Sequence, residues 1–379
     1  MSDEIPLGRP TTGDEEVEAV REVLESGWVA GQGPAGRAFE AAFAATVGAP
    51  HAKAVNNCTA GLHLAYLALG AGPGDEVIVA DYTYPATAHA VLYCGATPRF
   101  ADVKPNTGLV DPASVEALVG ERTVGIVGVD TLGQPADWDE LGRIAEAKGL
   151  WLVEDAACSA GASYGGRPAG HPGLADAATF SLHGRKGITS GEGGVVTTGR
   201  DDVDAFVGTR LSFGVESALS RSGAGGLPIP VFANLGWNYK MSDIASAIAH
   251  VQLGRLDGIL AARSRAAAGY AELLGGTELL ELPVVAPGRT HPWQTYAVTV
   301  AREVDRGRLA MRLREQGIGC NIGTFACHLQ PLYESDDVCE TSADVFERHL
   351  AIPMHGELSE SDVERVAKAV LDTAADCIR

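Results

Sequence analysis

Three short segments between residues 151 and 198 carry side chains that together suit one kind of chemistry. An apolar run ends in a carboxylate at Asp155, a later loop contains Lys186, and Gly191-Glu192-Gly193-Gly194 forms a glycine-rich turn. A carboxylate at a strand end can keep a pyridine nitrogen protonated, and a lysine amine can bind a carbonyl group as a Schiff base. The separation of 31 positions between Asp155 and Lys186 leaves room for a hairpin or a helix. This pattern predicts a pocket for pyridoxal phosphate.

Each of these residues also has an ordinary structural explanation. An aspartate after a buried strand often only caps the segment that follows, a loop lysine is usually solvated, and paired glycines before a β-branched strand often form only a turn. The order favours the chemical interpretation, because the acid, the hydroxyl of Ser181, the lysine and the glycine turn all lie at predicted strand ends.

The composition of the chain excludes several classes of protein. With 379 residues, 46% of them hydrophobic, the chain can form one large domain and a smaller one. A formal net charge of −20 opposes general binding to nucleic acid or to an anionic membrane. The seven cysteines include no CxxC pair, which argues against a disulfide framework and a zinc site. The first residues are acidic and no apolar run reaches membrane-spanning length, so we expect a soluble, cytoplasmic protein.

Strands and helices alternate through the first half of the chain. The predicted strands are Ala52–Val55, Val77–Ala80, Pro98–Ala101, Val124–Val129 and Trp151–Val153. The predicted helices begin at Asp14 and at Gly61 and continue with Ala86–Tyr93, Pro112–Leu118 and Trp138–Ala147. This alternation predicts a mostly parallel sheet with helices on both faces, in which ligands bind beyond the carboxyl ends of the strands.

The pattern changes after a long helix predicted around residues 241–263. The elements predicted beyond it are a strand at Trp293–Val300 and helices at Arg306–Gln316 and Ser361–Cys377, the last with a capping box of Ser361 and Glu364. We therefore predict an α/β fold with a large domain, residues 1–255, and a smaller C-terminal α+β domain, residues 256–379.

Five motifs occur together in this chain. They are Glu154-Asp155-Ala156-Ala157-Cys158, the run from Phe180 to Lys186, Gly191-Glu192-Gly193-Gly194, Asn57-Cys58-Thr59-Ala60-Gly61 and Gly236-Trp237-Asn238-Tyr239-Lys240. In this combination they resemble the DegT/StrS family of pyridoxal phosphate-dependent sugar aminotransferases, over about Pro6 to Tyr333. The resemblance implies a fold-type-I aminotransferase that acts on small molecules as a homodimer with shared active sites.

The resemblance also implies roles for individual residues. Lys186 would bind the cofactor covalently and move a proton, and Asp155 would pair with the pyridine nitrogen. The other implied cofactor contacts are Thr59, the Ala60 amide and Ser181 at the phosphate, Tyr84 against the ring, Cys158 near the ring hydroxyl, and Asn238 from the partner subunit. The candidate substrate-binding residues are Arg185, Arg210, Arg221 and His328.

Some of these positions keep a second interpretation. The loop 57–61 could hold a phosphate at a helix N-terminus or serve only as a cap by Thr59, and His328 could be a packed histidine. Cys158 stands where many family members carry Gln or His, and a thiol is a weaker hydrogen-bonding group. Asp130 stands where many members have His.

The resemblance implies transfer of an amino group from L-glutamate or L-glutamine to a keto sugar, often nucleotide-linked, in glycan or natural-product biosynthesis. A cyclitol ketone is an alternative acceptor, because fold does not determine substrate. A sugar dehydratase of this fold would carry His in place of Lys186, and a DNA-binding regulator is opposed by the net charge. We expect residues 209–234 to determine the choice of substrate.

Overall fold

The computed structural model describes residues 4–216 and 230–379. The helices, in chain order, are α1 (Asp14–Ser26), α2 (Pro34–Val47), α3 (Cys58–Ala68), α4 (Ala86–Tyr93), α5 (Pro112–Leu118), α6 (Trp138–Lys148), α7 (Asp201–Arg210), α8 (Asp243–Gly254), α9 (Leu256–Leu274), α10 (Arg306–Glu315), α11 (Glu340–Arg348) and α12 (Glu360–Ala375). The strands are β1 (His51–Val55), β2 (Glu76–Ala80), β3 (Tyr82–Thr83), β4 (Thr97–Ala101), β5 (Thr123–Val129), β6 (Trp151–Asp155), β7 (Ser163–Tyr164), β8 (Arg167–Pro168), β9 (Ala177–Ser181), β10 (Gly194–Thr198), β11 (Val215–Glu216), β12 (Val231–Phe232), β13 (Leu280–Glu281), β14 (Tyr296–Val300), β15 (Asn321–Ile322), β16 (Phe325–Ala326) and β17 (His349–Ile352). Among these residues, no helix combines the length and the apolar character that crossing a membrane requires.

A seven-stranded sheet lies at the centre of the larger part of the protein, in the order β1-β10-β9-β6-β5-β2-β4. Its strands run in one direction except β10, which is antiparallel to both of its neighbours. Because side chains alternate along a strand, Val77 and Val79 pack towards α3, α4 and α7, whereas Ile78 and Ala80 pack towards α5 and α6. The prediction of a mostly parallel sheet with helices on both faces is confirmed.

A smaller antiparallel sheet, β13-β14-β17-β15, lies in the C-terminal part. Helices α9, α10 and α12 supply apolar side chains to its core, and the N-terminal segment adds Ile5. The backbone of Ile5 bonds to Gly317 and Gly319, which places the beginning of the described chain beside this sheet. The predicted fold class, α/β with a smaller α+β region, is confirmed.

The prediction of one continuous helix at 241–263 is wrong, because two helices, α8 and α9, meet at Arg255. The φ of −97° and ψ of 0° at this residue depart from regular helix geometry. The Arg255 guanidinium donates to both carboxylate oxygens of the buried Glu16 in α1, at 2.8 and 3.0 Å. A long-range ion pair therefore lies at the break, directly after Gly254, a residue type that disfavours helix interiors.

Helix α9 belongs to both parts of the structure. Its first turns bury Leu256 and Ile259 in the core beneath the large sheet, and its later turns bury Tyr270 and Leu274 in the core of the small sheet. The helices and strands do not separate into two groups at residue 256, so the predicted division of the chain there stays a prediction.

The capping box of α12 lies two residues before the predicted one. Ser359 is the N-cap residue: its side chain accepts a hydrogen bond from the Asp362 NH at 3.1 Å, and Asp362 accepts one from the Ser359 NH at 3.0 Å. The prediction of Ser361 and Glu364 is wrong, because Ser361 already lies within the helix, where its hydroxyl has no free NH group to cap.

Asp243 links two helices that cover the large sheet. It is the first residue of α8, it is 1% exposed, and its carboxylate accepts hydrogen bonds from the Gly33 and Ala35 NH groups, at 2.9 and 3.0 Å. These NH groups belong to the N-terminus of α2, which no residue of α2 itself caps. The negative charge of the carboxylate also lies at the positive end of the α2 dipole, which is a favourable interaction.

We expect Asp243→Ala to lower the free energy of unfolding by about 3 kcal/mol, because two buried NH groups lose a charged acceptor. Denaturant-induced unfolding followed by circular dichroism measures this change. The control is Asp257→Ala, which removes an exposed carboxylate from the first turn of α9 and should change stability by less than about 0.5 kcal/mol. Equal effects in the two variants would contradict the assigned role.

Candidate active site

A cavity of about 490 Å³ lies beyond the carboxyl ends of β5, β6 and β9. The sequence-predicted site residues at its wall are Thr59, Tyr84, Asp155, Cys158, Ser181, Arg185 and Lys186. The remaining wall comes from the segments around Thr83–Thr87 and Val129–Leu132 and from the C-terminal part of the chain. The cavity therefore lies where the strand order predicted a ligand.

Asp155 ends β6 and is almost completely buried, with 4% of its surface exposed. Its Oδ2 accepts a hydrogen bond from Thr87 Oγ1 at 2.7 Å, and its Oδ1 accepts one from the Ala157 NH at 3.1 Å. Burial raises the pKa of Asp155, although these bonds and the charge of Lys186 oppose the shift. Such a carboxylate is stabilised by a further positive charge nearby, and a protonated pyridine nitrogen supplies one.

Lys186 lies in a tight loop that joins β9 to β10. The Leu182 NH bonds to the Gly193 carbonyl and the Gly184 NH to the Gly191 carbonyl, each at 2.9 Å. The glycine turn noted in the sequence is thus the returning arm of the lysine loop. At Gly191 the φ of 84° is a conformation that glycine adopts without strain.

The Lys186 amine points at the sulfur of Cys158, and Nζ donates a hydrogen bond to Sγ at 3.0 Å. Burial disfavours the ammonium form, but the charge and hydrogen bond of Cys158, then the charges of Cys58 and Asp155, outweigh it. The pKa of Lys186 therefore lies above its ordinary value. This balance depends on negative charge around the amine.

Arg263 fixes the lysine loop to the C-terminal part of the protein. Its guanidinium donates to the Lys186 carbonyl at 3.3 Å and to the carbonyls of Trp293 and Gln294, at 2.9 and 3.2 Å. Burial lowers the pKa of Arg263 to about 10, so the guanidinium stays charged at neutral pH. The loop position thus depends on a residue of α9.

The N-terminus of α3 faces the same cavity. Asn57 is the N-cap residue, and its Oδ1 accepts a hydrogen bond from the Ala60 NH at 2.8 Å. The cap is therefore Asn57 and not Thr59, whose side chain lies at the cavity wall with Ser181. Gly194 allows this close packing, because a Cβ there would lie 2.8 Å from the backbone of Asn57. A helix N-terminus flanked by two hydroxyl groups is a suitable phosphate site.

Tyr84 lies at the edge of the cavity with 67% of its surface exposed. Its ring contacts Phe325 edge to face, with 5.9 Å between the ring centroids. The side chain of Gln294 donates a hydrogen bond to the Arg185 carbonyl at 3.1 Å, and Gln294 lines the cavity together with Thr324. One face of the tyrosine is free of ring contacts within the described residues, and stacking on a cofactor stays a prediction.

Three predicted residues lie away from the cavity of their own chain or outside the described residues. The Arg210 guanidinium donates to Asn234 Oδ1 at 3.1 Å, so it holds the exposed segment that follows α7. Asn238 is exposed, and its Oδ1 accepts a hydrogen bond from Lys240 Nζ at 2.6 Å. Arg221 and much of the segment 209–234 lie outside the described residues.

His328 is not among the residues that line the cavity. Its Nδ1 lies 2.7 Å from Oδ2 of the fully buried Asp81, and its NH donates to the other oxygen at 2.6 Å. The hydrogen bond to Asp81 raises the pKa of His328. This placement agrees with the alternative of a packed histidine, which joins the C-terminal part to the end of β2.

Comparison with known proteins identifies the family of this chain. Residues 10–371 match the model of the DegT/DnrJ/EryC1/StrS aminotransferase family. The chain belongs to this family. The resemblance predicted from the sequence is therefore confirmed, and the protein is a pyridoxal phosphate-dependent aminotransferase.

Solved structures of similar proteins agree with the family match. The aminotransferase TlmJ from Streptoalloteichus hindustanus is 30% identical, with a TM-score of 0.92 over 98% of this chain and 99% of that chain. DesI, solved in the presence of its TDP-sugar product, is 30% identical, with a TM-score of 0.89 over 99% of this chain and 94% of that chain. Spr1654 from Streptococcus pneumoniae, solved in a PLP form, shares the fold at 24% identity, with a TM-score of 0.92 over 99% of this chain and 100% of that chain.

The cavity of this aminotransferase fits the cofactor at three places. At one end the buried carboxylate of Asp155 lacks a full positive partner, which a pyridinium NH supplies. At the other end Thr59, Ser181 and the α3 N-terminus suit a phosphate. Between them Lys186 presents a primary amine to the cavity. These assignments of individual contacts are predictions of this structure, and the Ala60 NH is directed to Asn57 in it.

A pair of buried carboxyl groups lies directly behind Asp155. Asp130 follows β5 and Glu154 precedes Asp155 in β6, and they are 1% and 0% exposed. Asp130 Oδ2 and Glu154 Oε1 receive no hydrogen bond from a fixed donor among the described residues. The two side chains influence each other's pKa, and Ser159 also lowers the pKa of Asp130. Burial, then the charge of Asp130, raises the pKa of Glu154 well above its ordinary range, so Glu154 carries the shared proton.

The remaining oxygens of this pair are satisfied by the backbone and by one indole. Asp130 Oδ1 accepts hydrogen bonds from the Ala136 NH and from Trp138 Nε1, at 2.9 and 3.2 Å. Glu154 Oε2 accepts one from the Gly170 NH at 2.9 Å. Asp130 therefore interacts with a glutamate whose raised pKa favours the protonated form.

Sequence reasoning missed several residues that line the cavity. They are Thr83, Thr87, Leu132, Gln294, Thr295, Gly323 and Thr324. Thr87 could have been suspected, because a hydroxyl in the first turn of a helix after a strand end often bonds to a neighbouring strand end. Gln294 and Thr324 carry no local indication, since only the packing of the C-terminal part brings them to the cavity.

The protonated Glu154 makes stability depend on pH in a defined direction. A raised folded-state pKa contributes stability that is fully present below the unfolded pKa and is lost as pH rises through the folded pKa. We expect Glu154→Gln, whose amide makes the same two contacts without titrating, to reduce the fall in Tm between about pH 6 and about pH 8. Thermal unfolding across this range measures the effect.

Two further variants complete this test. Glu154→Leu removes the contacts with Asp130 and with the Gly170 NH and should destabilise the protein by about 3 kcal/mol throughout the range, because Asp130 Oδ2 and the Gly170 NH stay buried and lose their partner. Glu146→Gln, on the exposed face of α6, should reproduce the wild-type profile. A Glu154→Gln profile parallel to wild type would show that Glu154 is ionised in the folded state.

Proposed function

We propose that this aminotransferase transfers an amino group from L-glutamate or L-glutamine to a keto sugar, and that the sugar is linked to a nucleotide. The observation that carries the proposal is that the Lys186 amine and the buried carboxylate of Asp155 face one cavity, whose rim presents the exposed Arg185. DesI, 30% identical over 99% of this chain, was solved with a TDP-sugar product, which supports the class of acceptor.

Pyridoxal phosphate, when bound, supplies an electron sink for the carbon that carries the donor's amino group. Asp155 would keep a proton on the pyridine nitrogen by charge and hydrogen bonding, and Thr87 and the Ala157 NH keep its carboxylate in one orientation. Thr59 and Ser181 would hold the phosphate at the α3 N-terminus.

Lys186 Nζ takes the proton from the α-carbon of the donor and delivers it to the cofactor side, and it reverses these steps with the acceptor. Tyr84, Val129 and Leu132 form part of the wall around the amine and limit the access of water. Arg185 binds phosphate oxygens of the nucleotide, because it is exposed at the rim and has no carboxylate partner among residues 4–216 and 230–379.

We further propose a cytoplasmic homodimer in which Asn238 completes the site of the partner subunit. The segment that carries Asn238 is exposed, and the side chain of Phe232 in the same segment is 66% exposed. A second copy of the chain would cover these residues. All seven cysteines are free, as expected in a reducing compartment.

The first experiment tests both half-reactions separately. The purified protein with pyridoxal phosphate should show a visible absorption band that L-glutamate converts to the near-ultraviolet band of the aminated cofactor. Nucleotide-linked keto sugars, but not free cyclitol ketones, should then restore the visible band. Restoration by cyclitol ketones alone would contradict the proposed acceptor, and no response to glutamate or glutamine would contradict the donor.

We expect Lys186→Ala to abolish the donor half-reaction, with a rate reduced by about 10³-fold or more, because the variant lacks the base that moves the proton. Stopped-flow absorbance with L-glutamate measures it. Lys148→Ala, which removes an exposed lysine at the end of α6, should retain the wild-type rate. A rate for Lys186→Ala within a factor of about ten of wild type would exclude the assigned role.

Mixed dimers test the role of Asn238. Asn238→Ala alone should weaken cofactor binding about tenfold, because one phosphate hydrogen bond is lost. When subunits of Asn238→Ala and Lys186→Ala are exchanged, half of the dimers are mixed and one of the two sites in each has both residues intact. About a quarter of all sites should therefore be active at a cofactor concentration that leaves the Asn238→Ala homodimers mostly empty. If the activity of the mixed sample does not exceed the average activity of the two variants, Asn238 does not act across the dimer.

A further inference from the structure

The contact between Cys158 and Lys186 brings a thiol and a primary amine together at the cavity wall. The distance between Nζ and Sγ is 3.0 Å, and both residues line the cavity. Cys158 is half-buried, whereas the other six cysteines of the sequence, all within the described residues, are buried. A small solute that enters the cavity therefore reaches this sulfur more readily than any other.

The second thiol at the wall, Cys58, is a poor competitor for oxidation. It is 8% exposed, and its Sγ donates to the Thr179 carbonyl at 3.6 Å. Burial, followed by the charge of Asp155, raises the pKa of the Cys58 thiol well above its ordinary range. Since the thiolate is the form that reacts with oxidants, Cys58 stays unreactive.

We propose that Cys158 and Lys186 form an oxidative switch, in which a peroxide oxidises the thiol and the lysine amine then closes a sulfur–nitrogen bond. This proposal concerns a chemical modification that is separate from amino transfer, and it does not depend on which sugar the enzyme uses.

The two steps balance without any further reagent. In the first, the thiolate of Cys158 attacks one oxygen of hydrogen peroxide: an S–O bond forms, the O–O bond breaks, and two electrons pass from sulfur to the departing oxygen. This oxygen leaves as hydroxide and becomes water by taking the proton that the thiol gave to Lys186 Nζ. In the second, the lone pair of Lys186 Nζ attacks Sγ: an S–N bond forms, the S–O bond breaks, and hydroxide takes a proton from nitrogen and leaves as water. A thiol reductant returns the two electrons and restores both side chains.

Oxidation itself prepares the amine for the second step. In the reduced protein, the interaction with Cys158 is the largest of the influences that raise the pKa of Lys186 against the effect of burial. Conversion of the thiol to a sulfenic acid removes the thiol from this interaction. The burial of Lys186 then favours the neutral amine, which is the nucleophile, and the amine is already in contact with the sulfur it attacks.

The bond would control cofactor loading. An amine joined to Cys158 is not available to hold pyridoxal phosphate, and an amine that holds the cofactor is not available to attack Cys158. The switch therefore acts on chains that lack the cofactor, and it keeps Cys158 from further, irreversible oxidation to the sulfinic acid.

The test measures mass rather than activity. The full-length protein, prepared once without pyridoxal phosphate and once saturated with it, is treated with a small excess of hydrogen peroxide. In the cofactor-free sample we expect a mass loss equal to two hydrogen atoms, reversed by dithiothreitol, and a proteolytic fragment in which the peptides of Cys158 and Lys186 are joined. The saturated sample should lack this fragment. Oxygen addition without the joined fragment would overturn the proposal.

Three variants separate this bond from the alternatives. Cys158→Ser should abolish the loss of two hydrogens, and Cys58→Ser should retain it; if Cys58→Ser abolishes it, the product is a disulfide and the proposal fails. Lys186→Gln should gain oxygen atoms at Cys158 that dithiothreitol does not remove. The joined fragment in the wild-type protein decides the outcome even if a variant does not fold.

Discussion

The burial of the Asp155 carboxylate at the end of β6 is the constraint on which the rest of the site depends. A carboxylate that is removed from water must be compensated by donors and positive charge, or it takes up a proton. Thr87 and the Ala157 NH supply the donors, and Lys186 supplies part of the charge. These donors and this charge do not fully compensate the burial, because the pKa of Asp155 remains raised. The proposed pairing with a cationic ring nitrogen would complete the compensation, and it would make a carboxylate that is costly to bury a binding group for the cofactor.

Two further features lie beside this carboxylate. Asp130 and Glu154 interact as a buried carboxyl pair, and Glu154 belongs to the same strand as Asp155. The sulfur of Cys158 accepts a hydrogen bond from the lysine amine. The protonation state of the first and the oxidation state of the second can change, so both can respond to conditions around the cofactor site.

The sequence allowed much of the large sheet to be predicted, because its buried strands are short apolar runs such as Val124–Val129, bounded by polar residues. Lys186, Asp155 and the glycine turn were predictable for the same reason, because each lies at or near the end of a strand. The ion pair at the Arg255 break was not predictable, since Glu16 is 239 positions away, although Gly254 beside it is unfavourable in a helix interior. Gln294 and Thr324 reach the cavity only through packing of the C-terminal part. Helices α2, α7 and α11 and strand β17 were missed, although in α2 the buried residues Phe39, Phe43 and Val47 keep helical spacing.

Helix α9 has a consequence for how the protein loses its structure. It buries its first turns beneath the large sheet and its later turns beneath the small one, and Arg263 between them bonds to the lysine loop. Neither core can separate from the other without exposing part of this helix to water. The two regions are thus linked as one cooperative unit, and partial melting of the C-terminal region would also release the backbone around Lys186. In this enzyme, loss of the catalytic geometry and loss of global structure should coincide rather than occur in sequence.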